Sequence, residues 1–206
     1  MDRLSGLDAS FLYLETRAQL MHVCGIVIVD PATMPGGYSF EVFKAELERR
    51  VSAIPAFRRM LRQVPLGLDH PLWVNDDDFD IDRHVHRMGL PSPGGETELA
   101  EIAAHVAGIQ LDRSRPLWEM YVIEGLQSGK VAVVSKMHHA TVDGVSGANM
   151  ISFLCSLEPD SPQLAPDEAK APVLDRALSD VELVARGVVS TLGKPVQMAK
   201  LVAPTA

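Results

Sequence analysis

Two adjacent histidines, His138 and His139, are followed at short spacing by Asp143 and Gly144, and this segment has the composition of a reactive site. A neutral imidazole titrates near physiological pH, so it can take a proton from an alcohol and later return it to a leaving group. Asp143 could accept a hydrogen bond from an imidazole or bind an arginine and brace the turn, while Gly144 allows the turn unusual φ values. The spacing favours a general base, but two ordinary surface or core histidines would give the same pattern.

The same segment fits neither a metal site nor a serine nucleophile. Adjacent histidines with one carboxylate lack the HxxxH or HExxH spacing that places metal ligands on one helix face. Ser146 is followed immediately by a glycine, which is not the spacing of a GxSxG elbow. Ser146 and Asn149 could donate hydrogen bonds to a developing oxyanion, although helix capping is the plainer interpretation. We therefore expect no metal ion here and no serine nucleophile.

The histidines lie where a predicted strand meets a predicted helix. Residues 117–123 and 130–137 are rich in apolar, strand-forming side chains and flank a turn with Gly125 and Gly129, which predicts a hairpin. Residues 145–157 are expected to form a mostly buried helix. A rigid strand end would hold an imidazole with its edge in a cleft, so the local order of elements favours a catalytic role.

Elements upstream should complete an α/β core. Residues 23–29 are predicted to form a core strand buried on both faces, because the run is short, apolar and β-branched. Ser39 is expected to cap a helix that stops before Pro55, and Thr97 to cap another. The core stripe of that second helix is predicted to contain Leu99, Ile102, Ala103, Val106 and Ile109.

Composition limits the possible functions and compartments. A net charge of −8 over 206 residues argues against general nucleic-acid binding, which needs a cationic face. Cys24 and Cys155 are far apart in apolar surroundings, which predicts buried, reduced thiols. No apolar run approaches the ~20 residues that span a bilayer, and no secretory signal is evident. We therefore expect a cytoplasmic chain with, at most, peripheral membrane contact.

Three other polar groupings favour ordinary roles. An arginine cluster could meet CoA phosphates or anionic lipids, although a solvated face is the simpler interpretation; its members are Arg49, Arg50, Arg58, Arg59 and Arg62. The acidic run 75–82 lacks the glycine and glutamate of a calcium loop and predicts a turn before a strand. Structural roles are expected for the remaining histidines, which are His22, His70, His84, His86 and His105.

Three motifs in order resemble one family. The HHxxxDG pattern at 138–144 resembles the signature of the CoA-dependent acyltransferase superfamily, which includes chloramphenicol acetyltransferases, carnitine acyltransferases and peptide-synthetase condensation domains. Residues 116–119 with 123–126, and 4–12 with 21–23, resemble bacterial wax ester synthase/diacylglycerol acyltransferases. The resemblance covers residues 1 to about 160. It implies a chloramphenicol-acetyltransferase-like α/β sandwich, a mixed sheet flanked by helices, as the N-terminal half of a two-domain fold.

The resemblance also implies roles for particular residues. His139 would be the general base and His138 a support of its geometry. Asp143 would be mainly structural, pairing with an arginine, and Gly144 would leave room for the substrate channel. Pro116, Leu117 and Trp118 would position a strand beside that channel, or be plain core.

The implied reaction is direct transfer of a long-chain acyl group from acyl-CoA to diacylglycerol or a fatty alcohol, with acyl-CoA as co-substrate and no bound cofactor. A condensation-type acyltransferase and a non-enzymatic acyl-CoA or lipid-binding module are the alternatives. Family members are about twice as long, so we expect 1–158 to form the acyltransferase domain, 159–179 a proline-rich linker and 180–206 a helical connector. We hypothesise a fragment that needs a missing C-terminal half or a second chain, with possible peripheral contact to the inner membrane or lipid droplets.

Overall fold

A computed structural model of the chain describes residues 2–34, 36–142, 181–182 and 184–185. Asp143, Gly144, Ser146 and Asn149 lie outside the described residues, as do Cys155, the expected helix over 145–157 and the expected linker over 159–179. Four residues of the expected connector, 181–182 and 184–185, are described, and they are helical.

A mixed four-stranded sheet forms the centre of the described fold. The strands of the described chain are β1 (Asp2–Arg3), β2 (His22–Val29), β3 (Arg59–Arg62), β4 (Leu72–Asn75), β5 (Val85–Gly89), β6 (Trp118–Glu124) and β7 (Val131–His138). The order in the larger sheet is β2-β7-β6-β5, and β1-β4-β3 form a smaller antiparallel sheet. β7 pairs antiparallel with β2 and β6, while β5 and β6 are parallel.

Helices cover both faces of the larger sheet. α2 (Phe40–Ser52) lies on one face and α4 (Glu96–Ala107) on the other, while α1 (Gly6–Leu14) and α3 (Pro55–Arg58) are the remaining α-helices before residue 142. Side chains alternate between the faces of a strand, so β7 contributes to two clusters. Val131 and Met137 pack in one cluster with Leu47 and Val51 of α2, and Ala132 and Val134 pack in the other with Leu99 and Val106 of α4.

Several of the predicted connections are present in the structure. The hairpin is confirmed, since β6 and β7 are antiparallel neighbours joined by a turn in which Gly125 has a φ of 93° and Gly129 a φ of 72°. Parallel strands need a crossover connection, and α4 lies in the connection from β5 to β6. The acidic run 75–82 does form the turn between β4 and β5.

The predicted burial of β2 is wrong. β2 lies at an edge of its sheet, and the side chain of Ile26 is 48% exposed and that of Ile28 52% exposed. Cys24 is exposed as well, so the predicted buried thiol is wrong there too. A β-branched, apolar run predicts that a segment forms a strand. Whether that strand is buried depends on its position in the sheet, which the run does not determine.

Helix starts are predicted only in part. Ser39 occupies the N-cap of α2, as expected, but its side chain makes no capping hydrogen bond. Thr97 does not cap α4, because that helix begins at Glu96 with Gly95 as its N-cap. The Glu98 carboxylate accepts the Gly95 N–H at 2.8 Å and satisfies one donor at the helix start. Ile109 lies beyond the helix and is exposed.

Candidate active site

His139 lies at the strand-end turn that the sequence predicts. β7 ends at His138, and His139 begins a single 3-10 turn that runs to Thr141. The His139 N–H donates to the Met21 carbonyl at 2.7 Å, and the ring stacks on Phe11 of α1 with centroids 3.9 Å apart. Both the backbone and the ring of His139 are therefore held by elements far away in sequence.

One ring nitrogen of His139 has no hydrogen-bond partner among the described residues. The residue is half-buried, and its Nδ1 is buried with no hydrogen-bond partner within the described part of the chain. A general base needs a nitrogen that is not already committed to a structural hydrogen bond. Among the described residues His139 Nδ1 meets that condition, and so does the Nε2 of His138, but the His138 ring is fully buried.

His138 has a different environment. Its ring is buried, and its Nδ1 accepts a hydrogen bond from the Ala140 N–H at 3.0 Å. The Thr141 hydroxyl donates to the His138 carbonyl at 2.6 Å. Burial lowers the pKa of His138 to about 4, so the ring is neutral at physiological pH. His138 therefore holds the turn together.

A buried carboxylate, Glu15, lies behind the histidine pair. Its side chain is 1% exposed, and its Oε2 accepts from Arg113 Nη2 at 2.7 Å and from Gln110 Nε2 at 3.1 Å. Its Oε1 lies 3.6 Å from His138 Nε2 and 3.4 Å from His22 Nε2. Burial raises the pKa of Glu15, but the hydrogen bonds from Arg113 and Gln110 outweigh it, so the pKa lies below its usual value.

Sequence reasoning missed this group. An ordinary structural role is expected for His22 from the sequence, yet β2 places it directly opposite His138. Glu15 and Arg113 are separated by 98 positions, and neither lies in a recognisable motif. The fold alone brings them to the histidines.

Lys136 shares the face of β7 that carries His138 and is fully buried. Its Nζ lies 2.7 Å from Glu119 Oε2 and donates to the carbonyls of Val106 and Ile109 at 3.2 and 3.0 Å. These carbonyls are at the C-terminal end of α4, where a cation is favourable. Lys136 thus fastens α4 to the sheet next to the site.

The segment formed by Pro116, Leu117 and Trp118 is buried and touches the site directly. The Leu117 carbonyl accepts the His138 N–H at 3.0 Å. The Trp118 indole N–H donates to the Phe57 carbonyl at 2.8 Å, and its ring stacks on His84 with centroids 4.5 Å apart. The segment therefore lies in the core beside the histidine turn.

The arginine cluster is engaged in local contacts. Arg49 and Arg50 both pair with Glu46, and Arg59 pairs with Asp2. Arg58 lies over the Phe79 ring, 4.4 Å from its centroid. All five arginines are half-buried rather than exposed, so the cluster is not the fully solvated face that the sequence favours.

The described residues offer neither a metal cluster nor a membrane-spanning helix. No group of three or more histidine, cysteine, aspartate or glutamate side chains in the described ranges could hold a metal ion. No helix within those ranges is long and apolar enough to cross a membrane.

Known proteins share both the sequence and the fold. A Mycobacterium tuberculosis protein named as a diacylglycerol O-acyltransferase is 51% identical over 207 residues, which is all of this chain and 40% of that protein. Another from the same species, carrying the same activity in its name, is 38% identical over 94% of this chain and 69% of its own length. The chain spans about two fifths of the length of the first of these relatives.

Solved structures extend the comparison. The wax ester synthase/diacylglycerol acyltransferase from Marinobacter aquaeolei VT8 superimposes with a TM-score of 0.67 at 31% identity, over 94% of this chain and 46% of that one. A condensation domain of the calcium-dependent antibiotic synthetase shares the fold, with a TM-score of 0.59 at 13% identity over 91% of this chain and 43% of that one. These matches confirm the expected chloramphenicol-acetyltransferase-like architecture.

The family profile described as the wax ester synthase/diacylglycerol acyltransferase catalytic domain matches residues 4–206. Together with the relatives, this match confirms the resemblance drawn from the three motifs. The chain belongs to the wax ester synthase/diacylglycerol acyltransferase family.

Proposed function

We propose that this chain carries the general base of an acyl-CoA-dependent O-acyltransferase that transfers a long-chain acyl group to diacylglycerol, with fatty alcohols as a second acceptor class. His139 is that base. The observation that carries the assignment is the contrast between the two histidines. His138 is fully buried and its Nδ1 accepts the Ala140 N–H, whereas His139 is half-buried at the strand-end turn and its Nδ1 bonds to none of the described residues.

The proposed reaction needs no covalent intermediate. His139 takes the hydroxyl proton of the acceptor, and the acceptor oxygen attacks the thioester carbonyl of acyl-CoA. The carbon–sulfur bond breaks, and the CoA thiolate takes the proton back from the His139 imidazolium. A positioned general base contributes about 10²- to 10⁴-fold to such a rate. Acyl-CoA is a co-substrate, and the scheme uses no resident cofactor.

The remaining site residues belong to this proposal. The family resemblance implies that Asp143 would brace the turn and that Gly144 would leave room for the channel, and Ser146 and Asn149 are weaker candidates for oxyanion donors. The first relative is longer than this chain, which covers 40% of it. We propose that a region corresponding to the rest of that relative, or a second chain, supplies the opposite wall of the site. Both acceptors are lipids, so we place the reaction at a membrane or lipid-droplet surface that the protein contacts peripherally.

The test is acyl transfer from a long-chain acyl-CoA to dioleoylglycerol by the protein, its His139→Ala variant and a His105→Ala variant. His105 lies on the exposed side of α4 and is the matched control for loss of a histidine. We expect His139→Ala to lose about 10²-fold or more in rate and His105→Ala to keep its rate. Equal rates for His139→Ala and the parent would refute the base, and acyl-CoA binding without product would favour a binding module.

A further inference from the structure

The contact between Glu15 and His138 bears on which nitrogen of His138 carries its proton. The Ala140 N–H can only donate, so His138 Nδ1 presents a lone pair to it. A neutral imidazole has one N–H, and here that hydrogen must be on Nε2. This Nε2 has no hydrogen-bond partner among the described residues, and Glu15 Oε1 lies 3.6 Å from it. A carboxylate at that distance stabilises an N–H that points towards it.

His22 does not compete for this arrangement. Its Nδ1 lies 3.3 Å from the Ala107 carbonyl, which can only accept, so Nδ1 carries the hydrogen. Burial lowers the pKa of His22 and favours the neutral ring. The Nε2 of His22 then presents a lone pair, which gains nothing from the carboxylate. Of the two imidazoles beside Glu15, His138 is the one that presents an N–H.

Arg113 fixes the carboxylate in turn. Its Nη2 donates both to Glu15 Oε2 and to the Leu12 carbonyl near the end of α1, at 2.7 and 2.9 Å. Glu15 is the C-cap residue of the same helix. α1 also supplies Phe11, on which the His139 ring stacks. One helix therefore carries both the carboxylate behind His138 and the surface against His139.

We propose that Glu15 is a positioning residue that holds His138 in the Nε2–H tautomer, so that His138 Nδ1 keeps accepting the Ala140 N–H and the turn presents His139 correctly. This inference rests on the proposed role of His139 as the base. Glu15 itself touches no reacting atom. It acts through His138, as a carboxylate does when it selects one tautomer of a neighbouring imidazole.

A Glu15→Gln variant reverses the local preference with little change of shape. Arg113 and Gln110 donate to Oε2 at 2.7 and 3.1 Å, while Oε1 accepts only the longer 3.4 Å contact from the Met21 N–H, so the new amide should turn its oxygen to the two side chains. Its NH₂ group then faces His138 Nε2 and favours a lone pair there. The His138 hydrogen would move to Nδ1 and break the bond from Ala140, which misplaces His139.

The experiment combines spectroscopy and kinetics on the same samples. Long-range ¹H–¹⁵N correlation spectra report the tautomer of His138 at pH 7 without substrate, and acyl-transfer assays report kcat and KM. Glu124→Gln is the matched control, because Glu124 also pairs with an arginine, Arg87, at 2.8 Å but lies away from the histidines. We expect Nε2–H in the parent and in the control, and Nδ1–H in Glu15→Gln. We also expect kcat of Glu15→Gln to fall about 10- to 100-fold with a smaller change in KM.

Each other result overturns the proposal. The parent protein alone can refute the proposal, namely if its His138 is found as Nδ1–H or as an imidazolium. This measurement remains decisive even if Glu15→Gln fails to fold. If the His138 tautomer shifts in Glu15→Gln with no loss of kcat, the tautomer does not position His139. If kcat falls while the tautomer is unchanged, Glu15 does not act through the tautomer of His138. If His139→Ala is inactive in those assays while Glu15→Gln keeps full activity, only the positioning role fails and the base assignment stands.

Discussion

The low pKa of His138 makes the stability of the protein depend on pH in a specific window. Burial holds the pKa at about 4 in the folded protein, against 6.5 for an ordinary histidine. Below about pH 6.5 an unfolded chain gains a proton on His138 that the folded protein cannot accept. The contribution of His138 to the free energy of unfolding is therefore complete above pH 6.5 and is lost as the pH falls towards 4.

The size of the effect follows from the two pKa values. The full gap corresponds to about 3 kcal/mol, and the loss between pH 7 and pH 5 to about 2 kcal/mol. In that range the slope approaches about 1.4 kcal/mol per pH unit, which is one proton. Acidification should thus weaken the turn that carries His139 before the carboxylates titrate.

Urea denaturation at a series of pH values between 7 and 5 measures this slope. The informative variant is His138→Asn, whose side-chain oxygen can still accept the Ala140 N–H but cannot titrate in this range. Subtracting its curve from that of the parent isolates the proton on His138. His105→Asn controls for the loss of a histidine as such. Parallel curves for the parent and His138→Asn would refute a buried, neutral His138.

Two further variants test the packing around the site by urea denaturation. Lys136→Met leaves Glu119 without its cation and removes the donor to the Val106 and Ile109 carbonyls. We therefore expect the free energy of unfolding to fall by about 3 kcal/mol or more. A change below about 0.5 kcal/mol would contradict a buried ion pair. Ile26→Thr alters an exposed side chain of β2 and should change the free energy of unfolding by less than about 0.5 kcal/mol, and a loss of about 2 kcal/mol would show that this face of β2 is covered.

Local patterns predict the hairpin and the turn that carry the two histidines, but not the helix α1 that packs against them. The hairpin of β6 and β7, the helix α2 and the position of the turn at His139 are marked by patterns within a few positions along the chain, although distant residues hold the His139 ring. Binary pattern and turn glycines therefore identify them. His139 itself is identifiable from the amino-acid sequence, because its motif is contiguous.

Features that depend on distant residues could not be predicted. The exposure of Ile26 depends on β2 lying at the sheet edge, which is a matter of strand order. Lys136 has the sequence position of an ordinary strand residue, and its burial depends on the end of α4. Glu15 and Arg113 cannot be assigned to the site from their sequence neighbours, because only the fold brings them together behind His138. The support of the candidate base is thus encoded at long range, although the base itself is encoded locally.

The most direct test of the central claim compares the two adjacent histidines in the same acyl-transfer assay. His138→Asn keeps an acceptor for the Ala140 N–H, whereas His139→Ala removes the group proposed to take the acceptor's proton. The account predicts that His139→Ala loses about 10²- to 10⁴-fold in kcat with long-chain acyl-CoA and dioleoylglycerol, and that His138→Asn loses far less. Near-normal turnover by His139→Ala, with His138→Asn inactive but folded, would contradict it.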